Sequence, residues 1–502
     1  MTKIAYLSPK RLMKSLAVIP AVFCLYLFFI ALFNRGPADY DLWGYLSFGR
    51  VFWEDGFFPY RDLFSYTPTK LMWVYHEWLT GVVFFWLMKH LGPASLQLLR
   101  YTLAIFTIYL IFITARKRGA SLFSIIIALI PSIVLISFGY FPVRAQVFTF
   151  FFFTLTLYLL ESYKKSGNVA MLGCLPLVQI FWCNLHGGFV SGLGLIFLYA
   201  LGESLLRKKI AVAYLVWGVI SVSATLINPY GLEYWVYTAY AVSMPRTEIT
   251  EWYSVLTALK SNIYVFPAVT LLVTAPIIVF FSMTRKRDIS ELLVIAAVIY
   301  LGMAHVRHGV LFGLVLGAYL PLYLTEYAET LSGKYRLYKN LFKAGLAVCA
   351  SFLVIAYFYV FTPKQITLIP TFKFFVSADD YPVKAVHWMK DHQIKGNILP
   401  HFEWGEYLMW SLYPDCRVAM DGRYETVYQD HVHKEYFEFL SGRDGWDRFL
   451  NKYPHDMILL KARTLTALHM RQEKNWQVAY SDNTSVLFVK KNMSDHLSND
   501  DI

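Results

Sequence analysis

Apolar stretches long enough to cross a membrane alternate along this chain with short polar clusters. A spanning helix needs about 17–25 mostly apolar residues. The first such stretch runs from Ser15 to Phe33, and further ones fall near 97–114, 121–138, 147–161, 169–184, 188–205, 210–227, 263–283, 290–305, 309–326 and 341–361. The pattern predicts about eleven spans. At every second gap stand plain basic runs: Arg116-Lys117-Arg118, Lys164-Lys165, Arg207-Lys208-Lys209 and Arg285-Lys286-Arg287. The other gaps carry groups able to do chemistry: Asp39 and Asp41, His76-Glu77, Arg144, Asn184 and His186, Asn228, Glu251-Trp252, and Arg307-His308. Lys and Arg near spans are retained on the cytoplasmic side, so the chemical groups are expected to share the outer face.

Ser15 to Phe33 follows Lys10, Arg11 and Lys14 and ends at Asn34-Arg35 without a small-residue cleavage site. It reads as an anchor helix with a cytoplasmic N-terminus, not as a signal peptide. Trp78 to Leu91 is short for a span, and counting it as one would invert every later loop. It is therefore expected on the outer surface, within a first external loop of residues 34–96. Lys334, Arg336 and Lys339 are then cytoplasmic, and the tail is external.

Residues 1–361 thus form a polytopic, mainly α domain, and residues 362–502 a soluble extracytoplasmic α/β domain. In the tail, strand-like runs appear at Asn397–Leu399, Arg417–Ala419, Met457–Leu460, Gln477–Tyr480 and Val486–Val489, with helix-like stretches at Val383–His392 and Gly445–Asn451. Two polar clusters stand out there, Glu403-Trp404-Gly405-Glu406-Tyr407 and Asp421-Gly422-Arg423, the second reading first as a turn.

Composition agrees with a membrane protein. The 502 residues are 57% hydrophobic and only 16% charged, with a mean hydropathy of +0.44. The net charge of +12 reads as topology and not as a nucleic-acid footprint, because much of the excess sits in short loops between apolar stretches. The five cysteines show neither CxxC nor paired spacing, so neither a disulfide framework nor a zinc site is indicated.

The chemistry is expected to start at Asp39-Tyr40-Asp41. Two carboxylates at i and i+2 can hold a divalent ion, or leave one free to take a proton; the alternative is a solvated helix cap. His76 and Glu77 could join an acid/base or metal cluster, although their spacing is no metal signature. Asn184 and His186, beside Gly187-Gly188, sit at a helix reversal where they can hydrogen-bond a ligand or merely satisfy one another's helices.

Several motifs together resemble a bacterial family of multi-pass proteins similar to the GT-C superfamily of glycosyltransferases, which includes protein O-mannosyltransferases and the aminoarabinose transferase of lipid A. They are Asp39-Tyr-Asp-Leu-Trp43, Gly49-Arg50, Pro59 to Thr67, His76-Glu-Trp-Leu79, Asn184-Leu-His-Gly-Gly188, Asn228-Pro-Tyr-Gly231, and the tail's EWGEYLMW and DGR. The chain departs from the family's habit at Tyr45 and Ala145. The resemblance implies transfer of a sugar from a polyprenyl-phosphate donor to a lipid, glycan or protein acceptor at the outer face of the plasma (inner) membrane. It implies Asp41 as the base, with Asp39 as its partner or a metal ligand. Arg144, Arg307 and His308 would meet the donor phosphate, with Asn184, His186, His76 and Glu77 around phosphate or sugar. The alternative reading is a non-catalytic binder or translocator of lipid-linked sugars using the same face.

Overall fold

The computed structural model describes residues 38–246, 248–283, 288–332, 338, 340–349, 351 and 376–491. The expected anchor helix Ser15 to Phe33, the run Arg285-Lys286-Arg287 and the trio Lys334, Arg336 and Lys339 lie outside them.

The helices mostly follow the apolar stretches, with those at Leu42–Arg50 and Glu233–Ser243 falling outside them. They are α1 (Leu42–Arg50), α2 (Trp78–Leu91), α3 (Ala94–Arg118), α4 (Leu122–Tyr140), α5 (Gln146–Ser166), α6 (Leu175–Leu185), α7 (Phe189–Arg207), α8 (Val212–Ala224), α9 (Glu233–Ser243), α10 (Val265–Met283), α11 (Ile289–Ala304) and α12 (Gly309–Ser332). Five segments among the described residues are long and apolar enough to cross a membrane: α3, α4, α7, α10 and Val306–Leu331. Others are shorter than the sequence pattern implies. The expected span 169–184 breaks at Cys174, ahead of Pro176, into a single turn and α6, since proline removes a donor and is best tolerated at a helix start.

The two kinds of polar cluster occupy opposite ends of this bundle. At one end Arg118 bridges Glu161 at 2.6 Å and Glu291 at 2.8 Å, Lys164 bridges Glu203 and Asp288, and Arg207 bridges Glu203. The basic runs are thus less plain than they read, because one residue in each described run, Arg118, Lys164 or Arg207, is partnered by acids. At the other end gather Arg144, His76, His186 and Arg307.

The stretch Trp78 to Leu91 stays at the Arg144 end. Its Val82 carbonyl accepts the Trp53 indole N–H and its Lys89 pairs with Glu54, so α2 runs beside the end of α1. Arg100 near the start of α3 donates to the carbonyls of Tyr140 and Phe141, just before Arg144, which returns the chain to the same level. Close packing of α1 on α2 needs small residues: a Cβ at Gly49 would overlap the backbone of Gly81.

The tail folds as expected into five strands: β1 (Gly396–Pro400), β2 (Cys416–Val418), β3 (Met457–Lys461), β4 (Trp476–Ser481) and β5 (Ser485–Lys490), in the order β2-β1-β3-β5-β4. β1 is parallel to β2 and β3, whereas β5 is antiparallel to β3 and β4. Helices α13 (Val383–Asp391), α14 (Gly405–Leu412) and α15 (Asp430–Ser441) complete it; α14 and α15 were not read from the sequence.

The first loop is sewn to this sheet. Ser65 bridges Val418 and Thr69 bridges Tyr428, and the Thr67 hydroxyl donates to the Ala419 carbonyl. Around them runs a closed ring of polar contacts. Asp62 accepts the Ser65 N–H and pairs with Arg423 at 2.6 Å. Arg423 pairs with Asp421 at 2.6 Å, Tyr428 donates to Asp421, and Tyr428 meets Ser65 at 2.6 Å. The Arg423 guanidinium also stacks on Trp73 and Phe64. The motif around Asp62 and the DGR motif are therefore two halves of one buried joint.

Candidate functional site

Between the Arg144 end of the bundle, the first loop and the tail lies a cavity of about 980 Å³. Its mouth is polar: Asp41, His76, Glu77, Arg144, His186, Arg246, Glu251, Arg307, His308, Glu406 and Glu425 all line it. Its floor is an apolar arm between α5, α7 and α11, walled by Phe150, Phe153, Val190, Leu195, Leu198, Val294, Val298 and Leu301. From Val190 to Leu198 the arm follows α7 for about 12 Å at the rise of an α-helix.

Asp41 stands before the first turn of α1 but its carboxylate makes no cap bond; its side chain is 42% exposed, against 12% for Asp39. Asp39 Oδ1 instead accepts the Asp41 N–H at 3.1 Å. Arg144, in the turn between α4 and α5, sits between the two. Its Nε lies 2.5 Å from Asp39 and 3.3 Å from Asp41, and its Nη1 bonds Glu251 at 2.8 Å. Three carboxylates thus share one guanidinium. The guanidinium stands where an ion bridging Asp39 and Asp41 would stand, so the pair does not fit a metal; among the described residues no three His, Cys, Asp or Glu side chains cluster to hold one. Burial, only partly offset by Arg144 and reinforced by Asp41, pushes the Asp39 carboxyl up to about 6. Glu251 is held below the usual carboxylate range, because Arg144 and then Arg307 outweigh its burial.

A second constellation lies against the first. Glu77 Oε1 is 3.4 Å from His186 Nε2 and 3.6 Å from His76 Nε2, and the Tyr45 hydroxyl approaches it from α1. The Gly188 N–H donates to His186 Nδ1 at 2.8 Å, which leaves the imidazole proton on Nε2, facing Glu77. Burial drives the histidines towards neutrality, His76 down to about 4 and His186 well below its ordinary range. Burial and the charge of Asp41 push Glu77 up to about 8. A carboxyl whose native pKa is raised binds its proton more tightly folded than unfolded, so stability falls as pH rises from the unfolded value towards about 8. Glu77→Gln is therefore expected to flatten the decline in Tm between pH 5 and pH 8, measured by thermal unfolding in detergent; an unchanged decline would show that Glu77 is not its source.

The arginines differ in what remains of their charge. Arg144 has its three acids, Arg246 is held bidentately by Glu425 at 2.7 and 2.5 Å, and Arg423 belongs to the buried joint. Arg307, in the 3₁₀ turn before α12, stacks on Trp252 at 4.7 Å, and among the described residues no carboxylate lies within ion-pair distance of it. His308 also faces the cavity.

Of the residues picked out from the sequence, the structure brings Asp41, His76, Glu77, Arg144, His186, Arg307 and His308 to one cavity. Asn184 is a joint instead: its Oδ1 accepts the Trp78 indole N–H at 2.8 Å and its amide donates to the carbonyls of Ile180 and Ile227, which uses up its bonding capacity away from the cavity wall. Asp39 lies behind Arg144. Glu251 and Glu406 stood among the polar clusters without a role, whereas Arg246 and Glu425 were not singled out.

No family model matches the sequence, and no curated protein matches it. Solved structures do. ArnT from Cupriavidus metallidurans bound to undecaprenyl phosphate superposes with a TM-score of 0.50 at 13% identity, over 94% of this chain and 98% of that one. The same protein in its apo state gives 0.54 at 13% identity, over 95% and 98%. The arabinofuranosyltransferase AftD from Mycobacteria gives 0.53 at 14%, over 97% of this chain but only 42% of that one. The chain therefore shares the fold of ArnT and AftD.

Proposed function

We propose that this chain is a membrane glycosyltransferase that moves a sugar from a polyprenyl-phosphate donor to an envelope acceptor at the extracytoplasmic face. The observation that carries the reading is the single cavity with an acidic and cationic mouth and an apolar arm, the shape of a molecule with a sugar phosphate at one end and a hydrocarbon chain at the other. The donor class is also that of the lipid bound in the ArnT structure.

In this reading Asp41 takes the proton of the acceptor hydroxyl. The oxygen's electron pair forms a bond to the anomeric carbon, the bond from that carbon to the phosphate oxygen breaks, and polyprenyl phosphate leaves with the electrons. Negative charge grows on the departing phosphate, and Arg307, which among the described residues has no carboxylate at ion-pair distance, answers that charge. Arg144 serves the base: pinned by Asp39 and Glu251, it fixes the carboxylate it touches at 3.3 Å. The arrangement of about eleven spans puts the basic runs in the cytoplasm, the N-terminus with them, and the C-terminal domain outside.

Arg307→Leu in protein reconstituted in lipid is expected to lower kcat/KM for a polyprenyl-phosphate sugar by roughly 100- to 1000-fold, with Arg307→Lys recovering part of it. An unchanged kcat/KM in Arg307→Leu would remove Arg307 from the donor site. Saturable donor binding by the parent chain with no transfer would favour the binder or translocator instead.

A further inference from the structure

The C-terminal domain sends one carboxyl into the cavity with no cation to meet it. Glu406 lies in the first turn of α14 and is 5% exposed. Its Oε2 accepts the Gly44 N–H of α1 at 2.8 Å. Among the described residues no Lys, Arg or His stands within ion-pair distance of it, since the neighbouring Arg423 is spent on Asp421 and Asp62.

Two glycines from different parts of the chain make room for this carboxyl. A Cβ on Gly44 would overlap its Oε2. A Cβ on Gly422 would lie 2.6 Å from Glu406 Oε1 and 3.6 Å from Asp41 Oδ1. The free oxygen of Glu406 and the carboxylate of Asp41 therefore both stand on the same side of Gly422, on the wall of the cavity. Gly422 has no left-handed φ, so backbone conformation does not demand glycine there; what its missing side chain provides is room for the Glu406 carboxyl.

Burial first, then the charges of Asp41 and Asp421, raise the Glu406 carboxyl well above the usual range. The neutral, hydrogen-bond-donating form of Glu406 is thereby favoured, whereas Asp41, open to the cavity mouth and touched by Arg144, faces it as the acceptor. A donor and an acceptor on the same side of Gly422 complement two adjacent oxygens of one molecule, not one isolated hydroxyl.

Resting on the sugar-transfer reading, we infer that Glu406 and Asp41 together select a saccharide acceptor with vicinal hydroxyls, Asp41 taking the proton of the reacting hydroxyl and Glu406 donating a hydrogen bond to its neighbour. The C-terminal domain then supplies part of the acceptor site, and Glu406 sets specificity without taking part in bond exchange.

The test compares two acceptor probes, n-octyl glucoside and n-octanol, with a radiolabelled polyprenyl-phosphate sugar in reconstituted full-length protein. The parent is expected to favour the glucoside in kcat/KM. Glu406→Leu should lose roughly 10- to 100-fold with the glucoside and almost nothing with octanol. Glu406→Gln, which keeps both a donor and an oxygen for Gly44, should retain the preference. Gly422→Ala, whose Cβ would push the Glu406 carboxyl from its place while leaving both carboxyls in the chain, should lose it. A preference unchanged in Glu406→Leu and Gly422→Ala overturns the inference alone, as does an equal loss with both acceptors in both variants. No transfer by the parent to either acceptor or to an envelope extract overturns the glycosyltransferase reading, and the inference falls with it.

Discussion

Asp41→Asn is expected to lower sugar transfer by about 10²- to 10⁴-fold, the span of a lost general base, while donor affinity stays within a few-fold of the parent. Asparagine keeps the size of the side chain but cannot take a proton. Asp41 is the more exposed of the acidic pair, at 42%, and it lines the cavity that Asp39 does not reach. Asp39→Asn acts differently in this account. It releases Arg144 from its shortest contact, at 2.5 Å, and so disturbs the orientation of Asp41 without removing the base. Single-turnover transfer measured beside equilibrium donor binding separates the two effects. A parent-like turnover in Asp41→Asn would take the base away from this residue.

The second large effect concerns the joint between the first loop and the tail. Arg423→Met is expected to destabilise the protein by about 3–5 kcal/mol, the cost of stranding the partners of a buried ion pair. Asp421 and Asp62 are both buried to within 1% of full burial beside a 2% exposed Arg423, and neither has another cation at ion-pair distance among the described residues. Asp62→Asn should cost less, because Asp421 still pairs with Arg423, and the double variant Asp62→Asn/Arg423→Met should cost less than the sum of the two. Thermal unfolding in detergent reads all three; additivity would mean that the ring of contacts from Ser65 to Tyr428 does not act as a unit.

The parts of this architecture governed by local pattern were legible in the sequence. Most described helices of the bundle follow an apolar run, α1 and α9 being exceptions, and each of the five strands falls within a residue or two of its expected place, because hydrophobic periodicity is a local signal. Alternation of basic and chemical clusters marked the two ends of the bundle for the same reason. What the sequence concealed depends on partners far along the chain. Glu406 reaches Gly44 across 362 residues, Arg423 reaches Asp62 across 361, and nothing in either neighbourhood names the other. Arg144 and Arg307 looked alike as lone arginines at helix ends. Only the fold distinguishes one surrounded by Asp39, Asp41 and Glu251 from one left to Trp252. Asn184 misled for a related reason: an amide in a Gly-rich reversal can serve a ligand or the chain, and here Trp78 and the carbonyls of Ile180 and Ile227 occupy it.

The central claim is that the cavity breaks the bond between a sugar and a polyprenyl phosphate. The most direct measurement supplies reconstituted protein with polyprenyl phosphates carrying radiolabelled sugars and follows both label and lipid. The account predicts that the parent chain, and not Asp41→Asn, moves label from the donor lipid into a new product while free polyprenyl phosphate accumulates in equal amount. Donor that binds saturably yet stays intact, whether it remains in place or crosses the bilayer, would contradict it.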